Sequence, residues 1–283
     1  MLIDLVAPLG WVTIILLGLG LFYDEYKREL NSSGLLFLSI ILIIMTPFFW
    51  VQEDSIVEAI LTLLGAFVCI YVAKLVLQSR ISIQKTIVMV LSASIVLLVS
   101  YSLASFQSYL ITTVAGETST VLNLIGFETA VLSQQSGTFI IFENTGGLKT
   151  EIVLACTGIG SIAIFMGLSL SLSSFSVPRR IVIALFTSGV IYVLNIFRNV
   201  FIAAAYGGQL LHIAPNAVEG LFGREGSWVS YYIADKIIAQ TGSAIFLALF
   251  ALFIVTKIEE ESSLFDEWVN IIDNLKKDLE NTD

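Results

Sequence analysis

The composition of this chain is that of an integral membrane protein. Of its 283 residues, 57% are hydrophobic and only 13% are charged, and the mean hydropathy is +0.91. Soluble domains are about half apolar and about a quarter charged, so a soluble enzyme is excluded. The formal net charge of -9 also excludes the basic surface of a nucleic-acid-binding protein.

The hydropathy pattern predicts about seven transmembrane helices, because a helix needs roughly twenty apolar residues to cross a bilayer. The apolar start contains the acidic Asp4 and no basic region, so it is interpreted as a retained first span. The sequence therefore predicts an all-α integral membrane protein, with one membrane domain over residues 1–257. The predicted spans lie near residues 5–23, 33–50, 56–78, 86–106, 153–173, 181–205 and 236–256.

The basic residues between the spans indicate the orientation. They concentrate in the first, third and fifth connections and in the C-terminal segment, whereas the second and fourth connections carry few or none. Under the positive-inside rule the N-terminus lies outside and the C-terminus in the cytoplasm, which agrees with an odd number of spans. The residues that carry this argument are Lys27, Arg28, Lys74, Arg80, Lys85, Arg179, Arg180, Lys257, Lys276 and Lys277.

The fourth connection, residues 107–152, is the longest and is predicted to be an outer, partly β-leaning loop. Residues 119–125 and 138–143 have the composition of short strands, and turns are expected at 134–137 and 144–147. A connection of this length is more often functional than a plain link.

Two further segments outside the predicted spans have an amphipathic pattern. Residues 227–234 are interpreted as an interfacial helix with an aromatic anchor. Residues 258–283 are acidic and amphipathic, and they are predicted to form a cytoplasmic tail that is either an ordered surface helix or a loosely tethered segment.

A cysteine and an arginine stand out within apolar runs. Cys156 lies near the outer end of the fifth predicted span, and Arg198 lies about two turns below the outer end of the sixth. Lys236 begins the seventh span at the same side. A guanidinium is costly in hydrocarbon and usually has a function. Because a nearby cation favours the thiolate and can stabilise an oxyanion, the topology predicts a nucleophile and its electrostatic partner.

Other residues in this layer have weaker signals. Asn195 and Asn199 form a polar stripe with Arg198 and are predicted to bind substrate, and Arg224 is a substitute for Lys236. Thr157, Gly158 and Gly160 leave room for an extended peptide beside the cysteine. Cys69 is expected to be a small core side chain. With one histidine in the chain, no metal site and no cofactor are predicted.

Three blocks resemble the exosortase/archaeosortase family, and the likeness is greatest to its archaeal members. They are Ala-Cys156-Thr-Gly-Ile, then Asn195-Ile-Phe-Arg198-Asn-Val-Phe-Ile-Ala-Ala, then Ser230-Tyr-Tyr-Ile-Ala-Asp235-Lys236. The matching part, residues 145–245, would be the catalytic part of the membrane domain. The family's third site residue is an arginine in archaeal members and a histidine in bacterial ones, whereas this chain has Lys236, which lacks the bidentate fork.

The resemblance implies a membrane-embedded cysteine protease or transpeptidase acting at the extracytoplasmic face. Its substrates would be secreted surface proteins with a C-terminal sorting signal, formed by a PGF-type motif, a hydrophobic span and a basic end. Their new C-terminus would be attached to a membrane phospholipid. By the same likeness Cys156 would form an acyl-thioester, Arg198 would be the proton donor or charge partner, and Lys236 would stabilise the transition state.

Other classes of membrane protein also fit a polytopic chain. A transporter or receptor could use Arg198 as an anion-binding or structural residue, although midplane polar residues and inverted repeats are not evident in the sequence. A retinal protein needs a lysine deep in its last span, whereas Lys236 is predicted at the mouth of that span. A serine or metal protease would lack partners, because His212 is the one histidine.

Overall fold

The computed structural model describes residues 5–51, 55–134, 137–143, 148–223, 226–254, 256 and 263–280, and within these ranges the chain is mostly helical. The helices are α1 Val6–Phe22, α2 Lys27–Val51, α3 Ile56–Leu77, α4 Gln84–Ser102, α5 Ala104–Leu124, α6 Ile159–Ser171, α7 Val177–Gly207, α8 Pro215–Phe222, α9 Trp228–Tyr232, α10 Gln240–Phe253 and α11 Ser263–Glu280. A π-helical segment, Ile233–Ala239, joins α9 to α10. The strands are β1 Thr129–Gln134, β2 Gly137–Phe142 and β3 Lys149–Ile152.

Within the described part of the chain, five helical segments are long and apolar enough to cross a membrane, which confirms a multi-pass membrane protein. They are Asp24–Val51, Ile56–Leu77, Gln84–Ser102, Val177–Gly207 and Trp228–Phe253. The first and fifth predicted spans form the shorter apolar helices α1, of 17 residues, and α6, of 13 residues. The fifth is shorter than predicted because its first residues form the 3₁₀ turn Leu154–Thr157 instead.

The segment predicted as an outer loop, residues 107–152, contains more helix and a better-formed sheet than the sequence predicts. The predicted strand at 119–125 is wrong, because Val114, Thr118 and Leu122 are buried at helical spacing on one face of α5. The strand at 138–143 is confirmed by β2. The three strands pair antiparallel in the order β1-β2-β3. Residues 135, 136 and 144–147 of the two predicted turns lie outside the described residues.

The predicted interfacial helix is the start of a longer one. Residues 228–234 are helical, but α9 runs directly into the π-helical segment and α10, giving one span from Trp228 to Phe253. No proline or glycine interrupts the chain between Val229 and Gln240. The seventh span therefore begins about two turns earlier than predicted. Lys236 accordingly lies inside the helix and not at its mouth.

The chain divides into two compact units. The first comprises Met1–Ser102, Ala163–Thr187 and Leu249–Asp283, and the second comprises Leu103–Ile162 and Ser188–Ala248. In the first unit, α1 to α4 pack around a core that includes Leu17, Leu35 and Ile87, and Ile271 of α11 packs against it. Helices α1 and α2 approach closely because Gly34 leaves space for Leu17, an arrangement typical of membrane helices.

Helix α11 is part of the first unit and is hydrogen-bonded to other segments of that unit. Its residues therefore form an ordered helix. The Glu267 carboxylate accepts from the backbone N–H groups of Lys85 and Thr86, at 3.2 and 3.0 Å, at the start of α4. Asp278 accepts from Arg80 at 2.7 Å. The division into a membrane domain over residues 1–257 and a separate tail over 258–283 stays a prediction.

The core of the second unit lies between the sheet and two helices. Alternate residues of β2, among them Ile140 and Phe142, are buried against Val114 and Leu122 of α5 and against Val200 of α7. The period-two alternation of a strand gives β2 this buried face. Because β3 pairs with β2 and leads directly into the segment around Cys156, this core fixes the backbone that carries the cysteine.

Candidate active site

Cys156 lies in a tight turn and not in a membrane helix. A 3₁₀ turn, Leu154–Thr157, follows β3 and precedes α6, and the Cys156 backbone N–H donates to the Val153 carbonyl at 2.9 Å. The Thr157 hydroxyl donates to the Leu154 carbonyl at 2.7 Å. This corrects the prediction that the cysteine lies inside a span. Its half-buried thiol is carried by a turn that hydrogen bonds brace at both ends.

Two asparagines of α7 hold the backbone of that turn. The side-chain amides of Asn195 and Asn199 both donate to the carbonyl oxygen of Cys156, at 2.6 and 2.7 Å. Both asparagines are buried. A carbonyl with both lone pairs engaged cannot rotate without breaking two hydrogen bonds, so α7 sets the orientation of the Cys156 peptide plane.

Gly158 is required by both its conformation and its surroundings. Its φ of +73° lies in the left-handed region, where glycine carries no steric penalty. A Cβ at this position would lie 2.8 Å from Cγ of Asn195. The space beside Gly158, predicted to admit a substrate peptide, is therefore filled by Asn195, whereas among the described residues no atom apart from those of its own chain neighbourhood lies within 4 Å of a Cβ built at Gly160.

Arg198 lies on the same helix as the two asparagines and forms an ion pair. Its Nη2 donates to Oδ1 of Asp235 at 2.6 Å. The Asp235 side chain is 10% exposed and that of Arg198 is 24% exposed, so the pair is shielded from water on most sides. A charge-assisted hydrogen bond in such a setting offsets part of the cost of burying both ions.

Asp235 has two further partners, which together with Arg198 make it the centre of a charged cluster. The Tyr231 hydroxyl donates to Oδ2 of Asp235 at 3.3 Å, and Nζ of Lys236 lies 3.4 Å from the same oxygen. Two cations therefore surround one carboxylate. The cluster formed by Arg198, Lys236, Asp235 and Tyr231 carries one net positive charge when all three ionisable groups are charged.

Tyr231 connects this cluster with the cysteine. Cys156 and Tyr231 pack against the same buried core of the second unit. Arg198 lies on α7 between Asn195 and Asn199, whose side chains bond the Cys156 carbonyl, and it bonds Asp235. The thiol and the cationic cluster therefore belong to one local environment, which can stabilise a thiolate or an oxyanion.

His212, in the second unit, has no described contact with this group. Arg224, the substitute for Lys236, lies outside the described residues. His212 is exposed in the connection between α7 and α8. Cys69 lies in α3 of the first unit.

Asp235 and Tyr231 were given no role in the prediction, although both stand in the third family-like block. An acidic residue inside an apolar run was the available signal for Asp235. Its pairing with Arg198 joins residues that are 37 positions apart, and a local pattern does not show that. Tyr231 lies four residues before Asp235, which is one turn of an α-helix, and its aromatic character alone suggested only an anchor.

Comparison with known proteins assigns the chain to a family. A family model described as transmembrane exosortase matches residues 6–234. The chain therefore belongs to the transmembrane exosortase family. That membership supports a membrane transpeptidase.

Two curated relatives cover most of the chain, and both are named archaeosortase A. The protein from Haloferax volcanii is 25% identical over 96% of this chain and 96% of its own length. The protein from Natronomonas pharaonis is 29% identical over 87% of this chain and 80% of its own length. No solved structure shows significant similarity to the chain.

Proposed function

We propose that this protein is a membrane-embedded cysteine transpeptidase that processes secreted surface proteins at a C-terminal sorting signal. One observation carries the proposal: the carbonyl of Cys156 is held by Asn195 and Asn199, on the same helix that carries Arg198. The relatives named archaeosortase A and the family match agree with a sortase-like reaction.

Cys156 is the nucleophile in the proposed reaction. Its sulfur attacks the carbonyl carbon of the scissile peptide bond and forms a C–S bond. The C–N bond then breaks, and the leaving amine takes up the proton released from the thiol. In the second half, a hydroxyl or amine of a membrane phospholipid attacks the thioester carbonyl. The C–S bond breaks, the sulfur regains a proton, and the substrate's C-terminus is joined to the lipid.

Arg198 acts as the charge partner, because its guanidinium is bonded to Asp235 and lies on the helix whose asparagines hold Cys156. The net positive charge of the cluster favours the Cys156 thiolate before attack and the oxyanion after it. Lys236 contributes a second cation and is the proposed transition-state stabiliser, with Arg224 as the alternative. Asn195 and Asn199 are positioning residues, since they bond to the cysteine backbone and so fix the direction of attack.

The proposed substrate carries a PGF-type motif, a hydrophobic span and a basic end. The proposed orientation has the N-terminus outside, the C-terminus in the cytoplasm and the reaction at the extracytoplasmic face. The distribution of lysine and arginine between the spans supports that orientation. No cofactor is proposed for this reaction.

Replacing each of the two cysteines tests the nucleophile. Cys156→Ala is expected to abolish processing of a signal-bearing surface protein in cells, so the unprocessed precursor accumulates. Cys69→Ala is the matched control, because it removes the same group from α3 of the first unit and should leave processing unchanged. Normal processing in Cys156→Ala cells, at a wild-type level of the enzyme in the membrane, overturns the proposal.

A covalent adduct gives a readout that a folding defect cannot imitate. Purified enzyme mixed with a sorting-signal peptide should form a thioester at Cys156, detected by mass spectrometry and removed by hydroxylamine. In a Cys69→Ala background, a membrane-impermeant thiol reagent should label Cys156 from outside the cell, and the same peptide should block it. If the reagent labels Cys156 only after the membrane has been made permeable, the proposed position of the reaction at the extracytoplasmic face is wrong.

A further inference from the structure

A cavity in the first unit lies at the ends of three transmembrane segments. It has a volume of about 350 Å³ and is lined by residues from the start of α2, the end of α3, the start of α4 and the turn between α3 and α4. Small-ligand pockets measure about 300–1,000 Å³, so this cavity can take a group of the size of a lipid headgroup.

The lining is basic. Lys27, Arg28 and Arg80 contribute to it, and the described lining residues include no aspartate or glutamate. Ser82 and Gln84 add polar groups. Cations grouped around a cavity without carboxylates indicate an anionic ligand, and guanidinium groups match the geometry of phosphate oxygens.

Internal ion pairs leave part of this charge available. Lys27 lies 3.7 Å from Asp24, a residue whose side chain is 93% exposed, and Arg80 bonds Asp278 through Nη1. Among the residues that the structure describes, Arg28 has no ion-pair partner. The three cations therefore exceed the two carboxylates that pair with them by one charge, which one phosphodiester would balance.

The position of the cavity identifies the source of the phosphate. The spans that border it begin at Asp24, end at Leu77 and begin at Gln84, so the cavity lies where these helices leave the apolar layer. That depth is occupied by lipid headgroups, and basic pockets between transmembrane helices at that depth bind anionic lipids. We propose that this cavity binds the phosphate of an anionic phospholipid headgroup.

This lipid is distinct from the acceptor of the proposed reaction. All of the cavity residues named above belong to the first unit, whereas Cys156, Arg198 and Asp235 belong to the second. The bound lipid would join α2, α3 and α4 through their ends and stabilise the first unit. The proposal does not depend on Cys156 being a nucleophile, and it can hold if the proposed reaction does not.

The test measures lipid binding by the purified full-length protein in neutral detergent at 0.15 M salt. Phosphatidylglycerol is titrated against the melting temperature, with phosphatidylcholine and inorganic phosphate in parallel titrations. Phosphatidylglycerol should raise the melting temperature at concentrations where phosphatidylcholine has no effect. Arg28→Gln should weaken the apparent affinity about tenfold, the effect of losing one charge-assisted hydrogen bond.

Arg179→Gln is the matched control, because it removes the same group from an exposed position at the start of α7. Ser82→Phe is a second variant that fills the cavity and keeps its charge, and it should also weaken binding. An equal loss in Arg28→Gln and Arg179→Gln would mean non-specific attraction and overturn the site. Stabilisation by inorganic phosphate equal to that by phosphatidylglycerol would overturn the lipid assignment and leave a free-anion site.

Discussion

Two aspartates in this protein have the same set of partners in different surroundings. Asp278 in the first unit bonds Arg80 at 2.7 Å, lies 3.6 Å from Lys74 and accepts from the Tyr71 hydroxyl at 3.3 Å. Asp235 in the second unit has an arginine at 2.6 Å, a lysine at 3.4 Å and a tyrosine hydroxyl at 3.3 Å. Each carboxylate is held by arginine, lysine and tyrosine.

The environments of these two clusters differ. The side chains of Arg80 and Asp278 are 43% and 23% exposed, against 24% and 10% for Arg198 and Asp235. Water and salt screen the attraction between Arg80 and Asp278. The attraction between Arg198 and Asp235 is screened less, so their charges act over longer distances. Similar partners and distances therefore do not by themselves decide what an ion pair contributes to stability or to catalysis. The shielded pair is suited to act on a reacting thiol, and the exposed pair is suited to fastening a helix.

Removing the shielded carboxylate should have the largest effect. Asp235→Ala leaves Arg198 without its partner, and breaking a buried pair costs about 3–5 kcal/mol. Because Arg198 is partly exposed, the expected loss in the free energy of unfolding is near the lower end, about 3 kcal/mol. The measurement is unfolding of the purified protein in mixed micelles.

Asp278→Ala is the control for that variant, since it removes the same group from the same set of partners. Its effect should be much smaller. If the two variants lose the same stability, burial does not distinguish the clusters, and the interpretation of Asp235 as the shielded centre of the site is wrong.

The turn that carries Cys156 should respond to a single added methyl group. Gly158→Ala places a Cβ against Asn195 and forces an L-residue into the left-handed region, which alone costs about 1–2 kcal/mol. Gly126→Ala, at φ +97°, carries a conformational cost without such a contact, since among the described residues no atom apart from its chain neighbours lies within 4 Å of the added Cβ. The melting temperature should therefore fall further for Gly158→Ala than for Gly126→Ala.

Processing activity separates these two glycines more clearly. A shift of Asn195 disturbs the hydrogen bond to the Cys156 carbonyl, so Gly158→Ala should lower the processing rate about tenfold or more. Gly126→Ala should leave that rate unchanged. Equal activity in both variants would show that the bond from Asn195 does not position the cysteine.

Much of the fold could be predicted from periodicity and hydropathy. The long apolar runs predicted α2, α3, α4 and α7, and the composition of residues 138–143 predicted β2. Helix α5 was missed because its threonines and valines favour strands, while its burial against the sheet favours a helix. Tertiary packing decided between strand and helix, and no local sequence pattern shows how a segment packs.

Only part of the site could be predicted, because local patterns show which residues are unusual but not which residues pack together. Cys156 and Arg198 were visible because a thiol and a guanidinium are conspicuous in apolar runs, and Asn195 and Asn199 because they share a helix face with Arg198. The contact of both amides with one carbonyl depends on how β3 directs the chain toward α7. The role of Asp235 was not predicted because its partner Arg198 lies 37 residues away in the sequence, on another helix.

Glu267 is an intermediate case between the two aspartates. It is half-buried, and besides the two backbone N–H groups it accepts from the Thr86 hydroxyl at 2.8 Å, at the positive end of the α4 dipole. Glu267→Gln should reduce the free energy of unfolding by about 1 kcal/mol, as for loss of a helix cap. Asp266→Asn, at an exposed position of the same helix, is the control, and an equal loss there would rule out capping as the cause.

The smallest expected effect, and the sharpest contrast with Asp235, is the pH dependence of the exposed cluster. The hydrogen bond from Arg80 holds the pKa of Asp278 below its usual value. A carboxyl with a lowered pKa stabilises the folded state above its unfolded pKa of about 3.9, and that contribution is lost as the pH falls through the folded pKa. The gap in melting temperature between wild type and Asp278→Asn should therefore be present at pH 7 and close below about pH 4.

Salt provides the complementary measurement. Raising the ionic strength toward 1 M shortens the Debye length to about 3 Å. The difference in melting temperature between wild type and Asp278→Asn should therefore also narrow at pH 7. The difference in melting temperature between wild type and Asp235→Ala should narrow less, because the pair of Arg198 and Asp235 is shielded from the added ions. If added salt reduced both gaps in equal proportion, Arg198 and Asp235 would be as accessible to solvent as Arg80 and Asp278. They could not then provide the low-dielectric setting that the proposed stabilisation of a thiolate requires.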